Sequence, residues 1–313
     1  MIRKFYETQK TRLSDWQKAI AQVRKVYFSV HGRAPNIFRP RRFTEKMQWR
    51  KLFDDNPVYP VLCDKLAVRD FIAARIGDRY HVPVLWIGAP ADIPFDQLEP
   101  PYVIKSNHAC GQVIMVAGRA SLNPAAIRQT TAAWLAEPYG VHMEEAAYWA
   151  VPPRLFIEQM LLTKSGAPPD EHRLHLFKGK TAFIQTTVIE DGIARHGAFH
   201  TPQWSPQDWY FTQARNIVFP RPARLDEMIR LAEILGREFD YLRVDFFDDG
   251  QRLWLSELTL FSWSGLGIFH PDQADFTFGS YWRLRAPICR ALLKILLHRR
   301  PIPRHRQTEK SVA

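Results

Sequence analysis

The chain has few cysteines, no long apolar run and none of the short signatures that mark the commonest nucleotide and nucleic-acid sites. Cys63, Cys110 and Cys289 are its three cysteines in 313 residues. They lack CxxC spacing, which argues against a disulfide framework or a Cys-type zinc site and suits a reducing compartment. The opening stretch MIRKFYETQKTRLSDW holds no apolar core of signal-peptide length. The longest apolar runs, such as ALLKILL, fall far short of the roughly 18 residues a membrane span requires. The cytoplasm is the expected location. Neither GxxxxGK[ST] nor GxGxxG occurs, so a Walker loop and a dinucleotide fingerprint are both excluded. Zinc-finger spacing, an RNP signature and a basic region running into heptads are missing too, and nucleic acid is not an expected partner.

What is present is a large apolar inventory and an excess of positive charge. Hydrophobic residues make up 46% and aromatics 13%, with ten Trp, enough for a folded body of two or three subdomains. The net charge of +11 asks for an anionic partner. The excess collects in RPRR at 39–42 and HRRPIPRHR at 298–306. A polyanionic sugar, a nucleotide and an anionic membrane surface would each satisfy it. ICRALLKILLHRR has the apolar and basic character to lie on such a membrane. The same residues also read as a helix docked on the body and ending in a solvated basic tail.

Residues 1–30 contain no Gly or Pro and read as one or two helices. FTEKMQWRKLFDDNP opens like a helix, with Thr44 as N-cap. YPVLCDKLAVRDFIAARIG repeats the pattern, with Leu62, Leu66, Val68, Phe71 and Ile72 in register and Gly77 as the stop. HVPVLWIG, residues 102–105, VIMV and RLFIEQMLL read as strands, and NPAAIRQTTAAWLAE and LDEMIRLAEILGREF as helices. EHRLHLFKGKTAFIQTTVIEDG alternates like two strands turning at Lys178-Gly179.

The stretch RVDFFDDGQRLWLSELT reads as a hairpin with a carboxylate inside each strand, Asp245 and Glu257. A lone buried charge is costly, so two of them need a reason. Arg243 and Asp245 share a face by parity. A tight Asp249-Gly250 turn would send Glu257 to the other face. An odd-length loop, or a bulge of the same effect, would place Glu257 opposite Arg243 and diagonal to Asp245. Hard oxygen ligands without His or Cys suit magnesium, which normally accompanies phosphate. An Arg–Asp–Glu salt-bridge network on a solvated face is the rival reading, and the sequence leaves both open.

Lys105 ends an apolar strand just before SNHACGQ, whose small residues expose backbone amides beside a lysine, a natural phosphate cradle. An ordinary hairpin loop fits the same residues. His108 and Cys110 lie in that loop without a partner motif and receive no metal role. Glu158 interrupts a third apolar strand. It sits either beside a flat base or in solvent at an edge.

In order and spacing, YVIKSNHACGQ, LFIEQML and RVDFFDDGQRLWLSELT resemble the ATP-grasp superfamily. FTEKMQWRKLFDDNPVYPVLCDKLAVRDFI, SNHACG, and SELT followed by SG are similar to the TupA-like ATP-grasp proteins, named for teichuronopeptide biosynthesis and found with polysaccharide-assembly genes. The likeness covers roughly residues 43 to 282. It implies an α+β ATP-grasp fold, two α+β subdomains gripping ATP, preceded by a small N-terminal α/β domain. By position, 1–42 would be a helical extension and 43–100 the pre-grasp region. The small subdomain would cover 101–165, the large subdomain with the metal site 166–282, and a C-terminal helix and basic tail 283–313. Lys105 would bind ATP phosphates, the 106–112 loop with Ser106 and Gly111 would close over them, and Lys65 would add a contact. Glu158, Gln159 and the backbone to Leu161 would hold adenine. Asp245 and Glu257 would bind Mg2+, and Arg243 would steady the transferred phosphoryl group. Thr259 stands where the superfamily often has an Asn metal ligand. EHR at 171–173 replaces a more usual Asp-Tyr-Lys-like run, which puts Glu171 and Arg173 among the nucleotide contacts by position alone. LFSWSG also departs from the usual aromatic-Pro-Gly context.

The resemblance implies a ligase that joins a carboxylated sugar or polysaccharide precursor to an amine through an acyl phosphate. Two rivals differ in class. One is a glycosyltransferase using a nucleotide-sugar, with Asp248 and Asp249 near its metal. The other is a non-catalytic module that binds anionic polymer through the basic tail.

Overall fold

The structure, a computed structural model, describes residues 2–190, 193–211, 219–284, 286–301 and 303, and the side chains of these except 2–12, 188–196 and 198. Helix α1 (Ile2–His31) is continuous. Trp16, Ala19, Val23 and Tyr27, three or four apart, form its buried stripe. Helix α2 (Phe43–Phe53) is buried on nearly every side and runs between α1 and the main core. Its N-cap is Arg42 rather than Thr44. The Glu45 carboxylate reaches back to the Arg41 and Arg42 amides at 2.9 and 3.2 Å and satisfies that helix end. Thr44 is thereby free to bond Asp275, its amide at 2.9 Å and its hydroxyl at 2.7 Å.

The single helical run expected before Gly77 is two helices, α3 (Tyr59–Cys63) and α4 (Val68–Ile76). Asp64 breaks it. Its Oδ1 accepts from the amides of Leu66 at 2.9 Å and Ala67 at 3.2 Å, which restarts the chain in a new direction. Gly77 ends α4 with φ 85° and ψ 165°, a positive-φ stop open to glycine.

Strands β1 (Val84–Gly88), β2 (Tyr102–Ser106), β3 (Val113–Val116) and β4 (Leu155–Gln159) form an antiparallel sheet in the order β1-β4-β2-β3. Helix α5 (Pro124–Ala136) covers one face through Ile127, over a core containing Tyr102, Ile104, Leu155 and Ile157. The second sheet contains β5 (Asp170–Phe177), β6 (Lys180–Glu190) and β7 (Ile193–His200), then β9 (Tyr241–Asp248) and β10 (Leu253–Thr259), in the order β10-β9-β5-β6-β7. β5 and β6 turn at Lys178 and Gly179, both with positive φ (51° and 70°), as a two-residue hairpin demands. β8 (Tyr210–Phe211) pairs with β11 (Phe269–His270). Helix α6 (Leu225–Gly236) packs Met228, Leu231 and Leu235 against the large sheet, and α7 (Gln273–Tyr281) and α8 (Pro287–Leu297) complete the body. The main core joins Phe43, Met47, Leu62 and Ile72 from the N-terminal helices to Leu174, Ile184, Val244 and Leu258 of this sheet. The region before the sheets is therefore built into the core of the five-stranded sheet. None of the described helices is long and apolar enough to cross a membrane.

Two histidines, His31 half-buried and His172 buried, make stability pH-dependent. Burial pushes the pKa of His31, stacked 4.1 Å from Tyr27, and of His172 on β5 down to about 4. The unfolded value is about 6.5, so the neutral rings contribute stability that is complete above that pH and lost as pH falls towards 4. The melting temperature should drop across that window, less steeply in His172→Gln. An unchanged slope in that variant would refute the assignment.

Candidate active site

The hairpin of β9 and β10 closes through four residues, 249–252, not through an odd number. Asp249 Oδ1 accepts from the amides of Gln251 and Arg252, each at 2.8 Å, and Oδ2 from Trp254 Nε1 at 2.7 Å. A four-residue loop alone would send Glu257 to the wrong face. A bulge at Ser256 corrects the parity: Leu255 pairs with Phe246, then Glu257 with Asp245 and Thr259 with Arg243. Glu257 thus lies directly across from Asp245, closer than the diagonal placement expected. On the other side of β9, Arg173 of β5 pairs with Asp245, and Gln185 of β6 with Arg173. Glu257, Asp245, Arg173 and Gln185 form one row across four strands.

Arg243 grips Asp245 with two nitrogens, Nε at 2.8 Å and Nη2 at 2.6 Å, and its Nη2 lies 3.8 Å from Glu257. The ion pair of the rival reading is therefore present, but Asp245 is 0% and Arg243 6% exposed, so this is no solvated face. Burial raises the Asp245 carboxyl, and the guanidinium beside it works in the opposite direction. At Glu257 burial also favours the neutral form, but Lys65, Arg243 and Arg173 outweigh it and hold the carboxyl below its ordinary value. Behind Arg243 sits the 262–265 turn. Ser262 Oγ accepts from Nη1 at 3.1 Å, and the Trp263 ring lies 5.6 Å from the guanidinium. Trp263, Ser264 and Gly265 all have positive φ, from 45° to 63°. Gln48 of α2 holds that strained turn by donating to the carbonyls of Ser264 and Gly265, both at 3.0 Å. A Cβ on Gly265 would come within 2.5 Å of Met47 Cβ, so only glycine lets α2 approach.

Lys65, Lys105, Cys110, Gly111, Glu158 and Glu257 line one cleft between the two sheets. The break at Asp64 presents Lys65 there. Its amide donates to Asn107 O at 2.9 Å, and its ammonium to the Ala109 carbonyl. Asn107 is fully buried. It donates to Asp64 Oδ1 at 2.9 Å and Pro152 O at 3.0 Å, and accepts from the Arg154 amide at 2.6 Å. The base of the loop is therefore fixed, and Cys110 and Gly111 form its exposed tip, with Gly111 at φ 77°. Ser106 belongs to the fixed part: it is the last residue of β2 and fully buried.

Glu158 is buried in β4 and ion-paired with Lys105 across the sheet, not at a solvated edge. Gln159 is exposed at the strand end and Leu161 lies beyond it; neither lines the cleft. Glu171 and Arg173 bind each other at 2.6 and 2.8 Å, and Glu171 also accepts from the bulge residue Ser256 at 3.2 Å. Asp248 is paired with Arg224 at 2.8 Å and Asp249 is occupied in its own loop, and neither lines the cleft. Sequence reasoning missed Asp64, Asn107, Ser262 and Gln48. Asn107 stood in the suspected loop, but its bond to Asp64 crosses 43 residues.

Among the described residues no group of three or more His, Cys, Asp and Glu could hold a metal. Magnesium does not require one, because it keeps waters and phosphate oxygens and is commonly held by one or two carboxylates. The adjacent Asp245 and Glu257 supply these, and the buried Thr259 hydroxyl lies beside Glu257, whose carboxyl it helps hold down. The donor set fits magnesium.

The model of a family described as TupA-like ATPgrasp matches residues 45–283. No curated protein matches the chain. Among solved structures, a D-alanine–D-alanine ligase from Bacillus anthracis aligns at 19% identity and TM-score 0.44, covering 81% of this chain and 72% of that one. An L-amino acid ligase from Bacillus licheniformis aligns at 15% and 0.43, covering 71% of this chain and 50% of that one. An N5-carboxyaminoimidazole ribonucleotide synthetase from Thermus thermophilus aligns at 13% and 0.37, covering 66% and 47%. The family match spans most of the chain, both sheets and the cleft between them: the protein belongs to the TupA-like ATP-grasp family.

Proposed function

We propose that the protein is an ATP- and magnesium-dependent ligase that activates a carboxylate as an acyl phosphate and joins it to an amine. The observation that supports this most is the Ser256 bulge, which turns Glu257 onto the face of Asp245 and Arg243 and into the cleft shared with Lys65 and Lys105. In this reading residues 101–165 and 166–282 are the two gripping subdomains. Lys105, Lys65 and the loop tip at Gly111 hold phosphates, and the strand carrying Glu158 holds the adenine side. Asp245 and Glu257, with Thr259 at hand, hold magnesium, whose charge offsets that of the phosphates.

The carboxylate oxygen of the acid substrate forms a bond to the γ-phosphorus as the bond to the ADP oxygen breaks. The amine then attacks the acyl carbon, phosphate leaves, and the amine loses a proton. Arg243, fixed by Asp245 and Ser262, neutralises charge on the transferred group. Such chemistry requires positioning and charge compensation rather than a protein nucleophile. The acid is a carboxylated sugar or polysaccharide precursor, a choice supported by the basic charge balance and the family's association. A cytoplasmic site of action, supported by the cysteine usage, belongs to the same reading.

The test is ADP release by the purified protein with ATP, Mg2+ and a panel of uronic acids and amines. ADP formation that requires both an acid and an amine is expected. Binding of ATP, seen as a raised melting point, without ADP or phosphate from any pair would sink the ligase assignment.

A further inference from the structure

Helix α8 is apolar on two opposite sides. Its inner side packs Ala291 and Ile295 with Trp16 and Ala19 of α1 and Trp49 and Phe53 of α2. At 3.6 residues per turn, Leu292, Leu293, Leu296 and Leu297 fall on the far side, and they are 50, 56, 58 and 59% exposed. A surface helix ordinarily turns polar residues outward, and one apolar all round is ordinarily buried. In RHRQTEKSVA, residues 304–313, Val312 is the single aliphatic side chain larger than Ala.

Charge identifies the occupant. Residues 283–313 carry nine Lys and Arg against one Glu, a net +8 of the chain's +11. Arg290 and Lys294 on the flank of α8 are paired with Asp54 and Asp55, but Arg299, one turn past the leucines, is exposed. Arg300 is the exception within the expected solvated tail. It is buried, donates to the carbonyls of Lys51, Leu52 and Glu144, and lies 5.3 Å from the rings of both Trp16 and Trp149. That anchor fixes the chain just beyond α8, so the helix and the start of the basic segment keep one orientation. The rest of that segment, 302 and 304–313, lies outside the described residues. A second copy on this face would bring two basic ends together. An anionic bilayer takes leucines at the acyl boundary and cations at the headgroups.

We propose that the outer face of α8 docks the protein on an anionic phospholipid surface. This is independent of the nucleotide reading. The probe is sedimentation of the full chain with phosphatidylcholine vesicles, alone or with about a third phosphatidylglycerol. Binding to the anionic vesicles only is expected, with affinity at least ~10-fold weaker in L293Q/L297Q. Both substituted positions are exposed, and an unchanged melting temperature and ATP-induced shift in the variant would show that it is folded. Three outcomes overturn the proposal. One is no binding to anionic vesicles at low salt. Another is equal binding by wild type and L293Q/L297Q, which would leave only tail electrostatics. The third is a wild-type dimer by light scattering that the same substitutions turn into a monomer.

Discussion

Glu257→Gln lowers ATP turnover by about 10²–10³-fold, the scale found for removing one group that stabilises developing charge, while the fold survives. The change keeps the shape of the side chain and removes one negative charge. Glu257 is the cleaner test of the pair because its shortest ion-pair distance to Arg243 is 3.8 Å, whereas Asp245 is locked to that guanidinium by bonds of 2.6 to 3.1 Å. Asp245→Asn would disturb a buried charge as well as the proposed metal site, so lost activity would be ambiguous. Lys65 and Arg173 add to the positive field at Glu257, and the neutral amide leaves that field uncompensated. The measurement is the steady-state rate of ADP release at saturating ATP and Mg2+, with melting temperature as control. A wild-type rate in a folded Glu257→Gln protein would overturn the proposed metal role of Glu257.

Arg50→Met costs about 2–4 kcal/mol of folding stability, because two buried carbonyls lose their donor at about 1–3 kcal/mol each while Asp240, a third exposed, keeps water and two other donors. Arg50 is 0% exposed in the last turn of α2. Its Nη1 donates to the carbonyls of Tyr241 at 3.0 Å and Leu260 at 3.1 Å, its Nη2 pairs with Asp240, and the Trp282 ring lies 4.4 Å away. Met fills much of the volume but leaves two carbonyls and a carboxylate short of a donor. Tyr241 begins β9 and Leu260 follows β10, so Arg50 clamps the root of the hairpin that carries Asp245 and Glu257. Arg50→Lys keeps the charge without the planar fork and should lose an intermediate amount. Urea titration with unchanged slope reads the difference, and a loss under about 1 kcal/mol would show that the clamp contributes little.

Local chemistry was legible in the sequence, and long-range partners were not. Gly77 as a helix stop and Lys178-Gly179 as a hairpin turn follow from which residues tolerate positive φ. The shared face of Arg243, Asp245 and Glu257 was legible as a condition on register, and the ordered motifs carried the family. The break between α3 and α4 was hidden because the apolar spacing runs unbroken across it, and the deciding bonds come from the Asp64 side chain. Thr44 looked like a cap because its partner, Asp275, lies 231 residues away. Arg300 read as solvated because nothing in HRRPIPRHR shows that Trp16 and Trp149 would enclose one of its arginines.

The Ser256 bulge also sets how the hairpin tolerates changes in length over evolution. Loss of any one residue from 253–256 could be absorbed by straightening β10, with Glu257 still facing Asp245. Gain of one residue in the same span would need a second residue looped out, or would carry Glu257 and Thr259 to the opposite face. Related chains one residue shorter in this strand can therefore keep the same pair of acids, whereas chains one residue longer must show a second irregularity.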